Sequence, residues 1–253
     1  MMRFSRSPFP WLLSTAPTRY NKKWVVAASQ RFSTGRPLGK NAEPSEDLLY
    51  PPPPTTRHSD LKSFLAYADR TALDPTSSVY VGTHYEYTVA STLSRYGIAA
   101  KRCGGASDLG VDLLGTWRIP VQAASSPPPP LRVIVQCKAG SRRIGPALIR
   151  ELEGSFVGAP VGWRGAGVLA LLVTEGTATK GVRDSLGRSN WPMGFISCSR
   201  DGVVRQILWN KRAEDEGLEG LGVGLRHTGS GDSEPEIILT YHNMNLPLLD
   251  RQT

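Results

Sequence analysis

Apolar and polar residues alternate along the segment 131–139, LRVIVQCKA, and this period of two predicts a β-strand. One face of the strand would carry Leu131, Val133, Val135 and Cys137, and the other would carry Arg132, Ile134, Gln136 and Lys138. Because Gln136 and Lys138 are two residues apart, we expect their side chains to lie on the same face of the strand.

A helix and a fully apolar run follow this strand. Pro146 is expected to begin the helix, because proline favours the first helical position, and Leu148, Leu152 and Phe156 recur at four-residue spacing. The run 168–173, VLALLV, indicates a central strand that is buried on both faces. A strand, a helix and a second buried strand favour a parallel pair joined by a right-handed crossover.

The rest of the pattern completes an α/β fold with a mixed β-sheet flanked by helices. Gly97 is expected to end a helix that contains Thr83–Tyr96, and Asp201-Gly202 is expected to turn a hairpin. We predict further helices near 61–67 and 180–188, strands near 98–101, 111–119, 195–199, 203–209 and 237–241, a hairpin insertion at 127–130, and a loop at 211–236.

Charge changes the picture only at the N-terminus. The first 42 residues contain no Asp or Glu but eight Lys and Arg, which leaves 22 basic and 22 acidic residues in the rest of the chain. The net charge of +8 therefore gives no argument for nucleic-acid binding by the remainder. An Arg-rich, Ser-rich, acid-free leader with interspersed apolar residues is typical of mitochondrial targeting, although a disordered basic tail has the same composition.

The predicted organisation has four parts. Residues 1–33 would be a mitochondrial transit peptide that directs the chain to the matrix, with cleavage near Arg31-Phe32-Ser33, and 34–58 a Pro-rich linker. Residues 59–210 would form the α/β domain, and 211–253 an acidic, Gly-rich loop with a last strand. No run approaches 18 apolar residues, so no membrane span is expected, and three widely spaced cysteines suggest no disulfide framework.

Four polar residues form the candidate site. Asp112 lies in one predicted strand, Gln136 and Lys138 lie in the next, and an antiparallel pairing of the two strands would bring them together. Glu86 comes from the preceding helix. Carboxylate, amide and main-chain oxygens are ligands that Mg²⁺ accepts, and a lysine could hold the attacking water or a phosphate. The residue types thus suit phosphodiester hydrolysis, with Asp112, Gln136 and Glu86 as candidate metal ligands.

An ordered set of motifs strengthens this interpretation. It consists of Gly82-Thr83-His84-Tyr85-Glu86, then Gly104-Gly105-Ala106-Ser107-Asp108-Leu109-Gly110-Val111-Asp112-Leu113, then Gln136-Cys137-Lys138, Arg150-Glu151-Leu152 and finally Val173-Thr174. The order resembles the Mrr-like branch of the PD-(D/E)XK nucleases. The resemblance implies a restriction-endonuclease-like fold, Mg²⁺ or Mn²⁺ as cofactor, DNA as partner, and catalytic roles for Asp112, Gln136, Lys138 and Glu86. With its leader, the chain also resembles the fungal "required for respiratory growth protein seven" family.

Departures and alternatives accompany the resemblance. Val111 replaces the motif's proline, and the neutral Gln136, as in the Mrr-like branch, removes one negative charge from the metal site. Glu86 could instead complete a capping box with Thr83, and Gln136 and Lys138 could form the solvent face of an edge strand. Asp108 could simply cap its turn. Arg142, Arg143 and Arg150 are candidate phosphate contacts or a solvated surface.

Three functions remain open from the sequence. The first is a Mg²⁺-dependent nuclease acting on mitochondrial DNA in support of genome maintenance and respiratory growth. The second is a nuclease-fold protein that binds or scaffolds nucleic acid without cutting it. The third is a structural factor of mitochondrial expression that uses its Trp-containing C-terminal hairpin for protein contacts. A homodimer is left open as an assembly.

Overall fold

The computed structural model describes residues 48, 50–103, 110–120, 130–140, 144–227 and 235–250, all within one compact unit that begins at Ser45. The predicted leader and most of the predicted linker lie outside the described residues. The helices are α1 (Leu61–Thr71), α2 (Ser78–Ser94), α3 (Pro146–Gly158), α4 (Lys180–Arg188) and a short helical turn, Lys211–Ala213, followed by a π-helical turn, Glu214–Leu218. The strands are β1 (Ile98–Arg102), β2 (Leu113–Trp117), β3 (Leu131–Lys138), β4 (Val168–Thr174), β5 (Met193–Cys198), β6 (Val204–Trp209), β7 (Leu221–Arg226), β8 (Glu236–Tyr241) and β9 (Met244–Asn245).

The central sheet has six strands in the sequential order β1 to β6. The pairs β1–β2, β2–β3 and β5–β6 are antiparallel, whereas β3–β4 and β4–β5 are parallel and are connected through α3 and α4. All seven residues of β4 are buried, as a central strand covered on both faces requires. The prediction of an α/β fold with a mixed sheet flanked by helices is confirmed.

Strand β3 separates two apolar layers. Leu131, Val133 and Val135 pack in the cluster that contains Tyr85, Val89 and Leu93 of α2. Ile134 packs in the other cluster, with Ile149, Leu152 and Phe156 of α3 and with Val182 and Leu186 of α4. The predicted division of the β3 residues between two faces is therefore present, and it fixes which helix covers each side of the site.

Two local predictions need correction. Ser77 caps α2 through a hydrogen bond from Tyr80 N–H, so Thr83 lies within the helix and the capping-box interpretation of Thr83 and Glu86 is wrong. The expectation of a loop at 211–236 is also wrong for the described part of that segment, which contains two helical turns and β7. Glycines between Leu221, Val223 and Leu225 lower the β-propensity of β7, so the segment resembles a loop in sequence.

The C-terminal segment belongs to the same core as the central sheet. The antiparallel sheet β7–β8–β9 contributes Leu221, Ile237 and Leu239 to the α2-side cluster. Tyr96 Oη donates to the Ile237 carbonyl at 3.1 Å, and Arg95 pairs with Glu236 at 2.8 Å. These contacts tie β8 to the end of α2.

Contacts also begin before Ser59, where the domain was expected to start. The Tyr50 ring meets the buried Trp163 ring edge-on, with ring centroids 5.0 Å apart, and Lys101 Nζ lies 5.0 Å from the centroid of the Tyr50 ring. The end of the predicted linker is therefore packed on the domain.

Candidate active site beside strand β3

Asp112 lies where β2 begins, beside the end of β3. Its main-chain N–H donates to the Val135 carbonyl at 2.9 Å, and its own carbonyl accepts from Cys103 N–H at 2.9 Å. Leu113, the next residue, is the register partner of Val135. The antiparallel pair thus brings Asp112 beside the Gln136-Cys137-Lys138 segment, as the sequence predicted.

The Asp112 side chain is held as firmly as its main chain. Oδ2 accepts a hydrogen bond from Cys137 N–H at 2.6 Å, and the side chain is half-buried. A main-chain donor to a carboxylate makes a charge-assisted bond, which is stronger than a neutral one. The site therefore has a negative charge fixed against the middle residue of the QxK motif.

Gln136 is the most buried polar residue of the motif, with 3% of its surface exposed. Its Oε1 has no hydrogen-bond partner in the structure of the described residues. Gly110, at φ 83°, passes so close that an added Cβ would lie 3.1 Å from Gln136 Nε2. A buried carbonyl oxygen without a partner costs about 1–3 kcal/mol, so this atom favours an additional ligand.

Lys138 forms an ion pair with α3. Its Nζ lies 3.3 Å from Glu151 Oε2, and 40% of the lysine side chain and 51% of the glutamate side chain remain exposed. The contact joins the QxK segment to the Arg150-Glu151-Leu152 part of α3. The neighbouring Arg150 is exposed on α3.

Glu86 lies on the α2 side and pairs with Arg102 of β1. Both side chains keep only 15% of their surface exposed. Burial alone would lower the pKa of Arg102, but the hydrogen bond and the charge of Glu86 raise that pKa above its ordinary value. In this structure Glu86 thus neutralises a half-buried guanidinium.

The pKa of the Cys137 thiol is affected by burial and by the charges of Asp112 and Glu86. Burial raises its pKa well above the ordinary value, and the negative charges of Asp112 and Glu86 raise the pKa further. Asp112 contacts Cys137 directly, through the main-chain N–H, whereas Glu86 acts on the thiol through its charge.

Three of the predicted residues, Asp108, Arg142 and Arg143, lie outside the described residues. Lys138 extends toward α3, on the opposite side of the sheet from the helix that carries Glu86. Among the residues that the structure describes, no group of three His, Cys, Asp or Glu side chains is placed to hold a metal ion.

Sequence reasoning missed Arg102 and Glu175. Glu175 follows β4, and its Oε1 accepts hydrogen bonds from Gly140 N–H and from Arg200 Nε, the latter at 2.8 Å. An acidic residue directly after a buried parallel strand is a signal that could have been used, because ligands collect at the carboxyl ends of such strands. Arg102 gave no comparable signal, because its role depends on the pairing of β1 with β2.

A protein-family model described as "Required for respiratory growth protein 7" matches residues 77–129 and 121–224, which is more than half of the chain. The chain belongs to this family. The match to Required for respiratory growth protein 7 runs from α2 into β7 and contains Glu86, Asp112, Gln136 and Lys138. Membership associates the chain with mitochondria and with respiratory growth.

A curated relative is also similar to the chain. It is a Schizosaccharomyces pombe protein named as an uncharacterized mitochondrial protein, and it is 33% identical over 159 residues, covering 62% of this chain. The match covers 61% of the relative, so the chain spans about three fifths of the length of the relative that it matches. No solved structure matches the chain. Within the described residues, no helix combines the length and the apolar character that a membrane crossing needs.

Proposed function

We propose that this chain is a mitochondrial nuclease that hydrolyses phosphodiester bonds of DNA with Mg²⁺ or Mn²⁺, and that it thereby supports mitochondrial genome maintenance and respiratory growth. The observation that carries the proposal is the Asp112 carboxylate, fixed 2.6 Å from the main-chain nitrogen of the QxK motif. A six-stranded mixed sheet with α2 on one face and α3 on the other supports a restriction-endonuclease-like architecture. The family and the mitochondrial relative support the location.

The oxygen atoms at the end of β3 fit a hard divalent cation. Asp112 offers a carboxylate, Gln136 offers the buried Oε1 that has no protein partner in the described residues, and the Cys137 carbonyl is a third candidate ligand. When bound there, such an ion would supply positive charge to a scissile phosphate. Because these candidate ligands include a single carboxylate, we expect weaker metal affinity than at a site with two carboxylates.

Cys137 N–H, Lys138 and Glu86 have separate proposed roles. Cys137 N–H holds the Asp112 carboxylate in place, so little reorganisation is needed when a ligand arrives. Lys138 is half exposed and can exchange Glu151 for a phosphate or for the attacking water. Glu86 must leave Arg102 before it can serve a metal ion, so its proposed role is conditional on that exchange.

A cleavage assay tests the proposal. The full chain and its Asp112→Asn and Lys138→Ala variants are incubated with duplex DNA and Mg²⁺ or Mn²⁺. Each variant should cut at least about 100-fold more slowly, because each removes a group that acts on transition-state charge. Lys180→Ala is the matched control, because Lys180 is an exposed lysine paired with Asp184 on α4. Equal cutting by the wild type and by Asp112→Asn would sink the nuclease assignment.

A second candidate function is DNA binding without hydrolysis. It is favoured by one observation: Asp112, Glu86 and Lys138 already contact Cys137 N–H, Arg102 and Glu151, respectively. A binding protein needs no catalytic metal, and its charges can remain paired. This candidate predicts that no Asp112-dependent cutting occurs and that Lys138→Ala changes only DNA affinity.

A further inference from the structure

Strand β7 is an edge strand of the smaller sheet. It pairs with β8 on one side, and the order β7–β8–β9 places no described strand on its other side. His242 N–H donates to the Gly220 carbonyl at 2.9 Å, so these two opposed residues form a hydrogen-bonded pair. Because such pairs alternate along an antiparallel ladder, the main-chain groups of Leu221, Val223 and Leu225 point away from β8. No main-chain hydrogen bond among the described residues satisfies them there.

The side chains along this edge are apolar, and most of them reach solvent. Leu221 is buried at the start of β7, but 42% of Val223 and 63% of Leu225 remain exposed. No charged residue and no proline lies between Leu221 and Leu225. Proteins usually protect the edge of a sheet with charges, prolines or very short strands, so an unprotected apolar edge favours pairing with another strand.

The other described strand edges carry such protection. Strand β1 has Lys101 and Arg102, and β6 has the exposed Arg205. Strand β9 contains only two residues, Met244–Asn245. Among the strands that the structure describes, β7 is therefore the edge that is best suited to accept a further strand.

The sequence of β7 is symmetric about Val223, because it reads Leu-Gly-Val-Gly-Leu from 221 to 225. An antiparallel pair of two copies centred on this residue would place Val223 opposite Val223 and Leu221 opposite Leu225. These are the residues whose main-chain groups point outward, so one register satisfies the hydrogen bonds and brings the apolar side chains together. A contact between identical patches has two-fold symmetry and closes as a dimer.

Charge favours the same register. The turn before β7, Glu214–Leu218, begins with three acidic residues and is followed by Glu219, whereas β7 ends with Arg226. In the pair centred on Val223, Arg226 would lie opposite Gly220 of the second copy, one position from its Glu219. Glu219 is exposed and takes part in none of the ion pairs among the described residues. A parallel pair would instead place the two acidic turns side by side, which is unfavourable.

We propose that the chain forms a two-fold symmetric homodimer in which β7 pairs antiparallel with β7 of a second copy, centred on Val223. The two β7–β8–β9 sheets then join into one continuous sheet. Because a single strand pair buries little surface, the dimer is weak and dissociates on dilution. It does not depend on the proposed nuclease activity.

Sedimentation equilibrium of the full chain tests the dimer, over a range of about 1–300 μM that covers the affinities of small interfaces. Val223→Lys places two like charges opposite each other and should weaken association at least about tenfold. Glu219→Lys reverses the charge beside Arg226 and should weaken it about two- to fivefold. The matched control is Val157→Lys, an exposed valine of α3, which should stay within about twofold of the wild type. Thermal melting verifies that each variant is folded.

Cross-linking tests the register. Residues opposed in a hydrogen-bonded antiparallel pair have Cα atoms about 5.5 Å apart, which is within the range that a disulfide spans. Val223→Cys should therefore form a covalent dimer on mild oxidation. Val157→Cys, which retains the same native cysteines, should not.

The remaining outcomes overturn the proposal. A wild type that stays monomeric at every concentration would mean that the β7 edge is left open or is covered by something other than a second copy. A dimer that Val223→Lys leaves intact, or that Val157→Lys weakens equally, would use another surface. Unchanged affinity in Glu219→Lys, or equal cross-linking of the two cysteine variants, would reject the antiparallel register. None of these results bears on DNA cleavage, so the dimer and the nuclease assignment can fail separately.

Discussion

The two sides of strand β3 hold their charged groups differently. On the α2 side, Glu86 and Arg102 are paired and 15% exposed, whereas on the α3 side Lys138 and Glu151 are paired but 40% and 51% exposed. The α3 side also has the buried oxygen of Gln136 that no described group satisfies. The α2-side pair is therefore structural in character, and the α3-side groups are those that a ligand can recruit.

The largest expected effect is on the α2 side. Arg102→Ala removes the cation that pairs with Glu86 where both side chains are only 15% exposed, and it should lower the free energy of unfolding by about 2–3 kcal/mol, slightly less than for a fully buried pair. Urea denaturation measures this change. The control is Arg95→Ala. Arg95 is one of two arginines that pair with the more exposed Glu236, so its loss should lower the free energy of unfolding by less. A loss below about 0.5 kcal/mol would contradict a structural role for the Glu86–Arg102 pair.

The elements around β3 follow from local sequence. Alternation over 131–138 and the apolar run 168–173 predict their strands, and Pro146 begins α3 as expected. Strand β7 could not be found in this way, because the glycines between its apolar residues lower its β-propensity. Its position depends on the nonlocal partner β8, which no local pattern specifies.

The candidate site was likewise predictable only in part. The spacing of Gln136 and Lys138 and the antiparallel approach of Asp112 were predictable, because both follow from strand geometry. The partner of Glu86 was not predictable, because Arg102 is brought to α2 by the pairing of β1 with β2. Sequence reasoning therefore predicted that Asp112 lies beside the QxK segment, and only the tertiary structure shows that Glu86 pairs with Arg102.

The next largest effect is expected from substitutions of Gln136. They test whether its side-chain oxygen, on the α3 side of β3, binds a metal ion. Gln136→Glu should raise Mn²⁺ affinity about tenfold, since it restores a second carboxylate, whereas Gln136→Leu should weaken Mn²⁺ binding to a similar extent. Isothermal titration of Mn²⁺ measures both. In the absence of metal, Gln136→Leu should be as stable as the wild type, because it removes a buried oxygen that has no hydrogen bond among the described residues.

The converse results would break that interpretation. If both variants bind Mn²⁺ as the wild type does, the Gln136 oxygen is not a metal ligand. If Gln136→Leu instead unfolds the chain, Oε1 has a structural partner, and the contrast between the two sides of β3 loses its main support.

A smaller effect is expected from Glu151→Ala. The Lys138–Glu151 pair is well exposed, so its loss should change the free energy of unfolding by less than about 1 kcal/mol. The same substitution frees the Lys138 ammonium and should strengthen DNA binding slightly. Urea denaturation and fluorescence titration measure the two quantities. A destabilisation equal to that of Arg102→Ala would erase the distinction between the two sides.

The smallest expected effect concerns pH on the α2 side. The pKa of His58 is lowered from 6.5 by burial, by Arg102 and by Arg57. The folded chain therefore binds this proton less readily than the unfolded chain, so the stability contribution is present above about pH 6.5 and is lost as the pH falls through the lowered pKa. Arg57→Ala should move the His58 pKa back toward 6.5, which an NMR titration of the imidazole protons measures. Arg205→Ala should leave that titration unchanged, because Arg205 lies on β6. An unaltered His58 titration in Arg57→Ala would show that Arg57 does not lower this pKa and would leave burial and Arg102 as its causes.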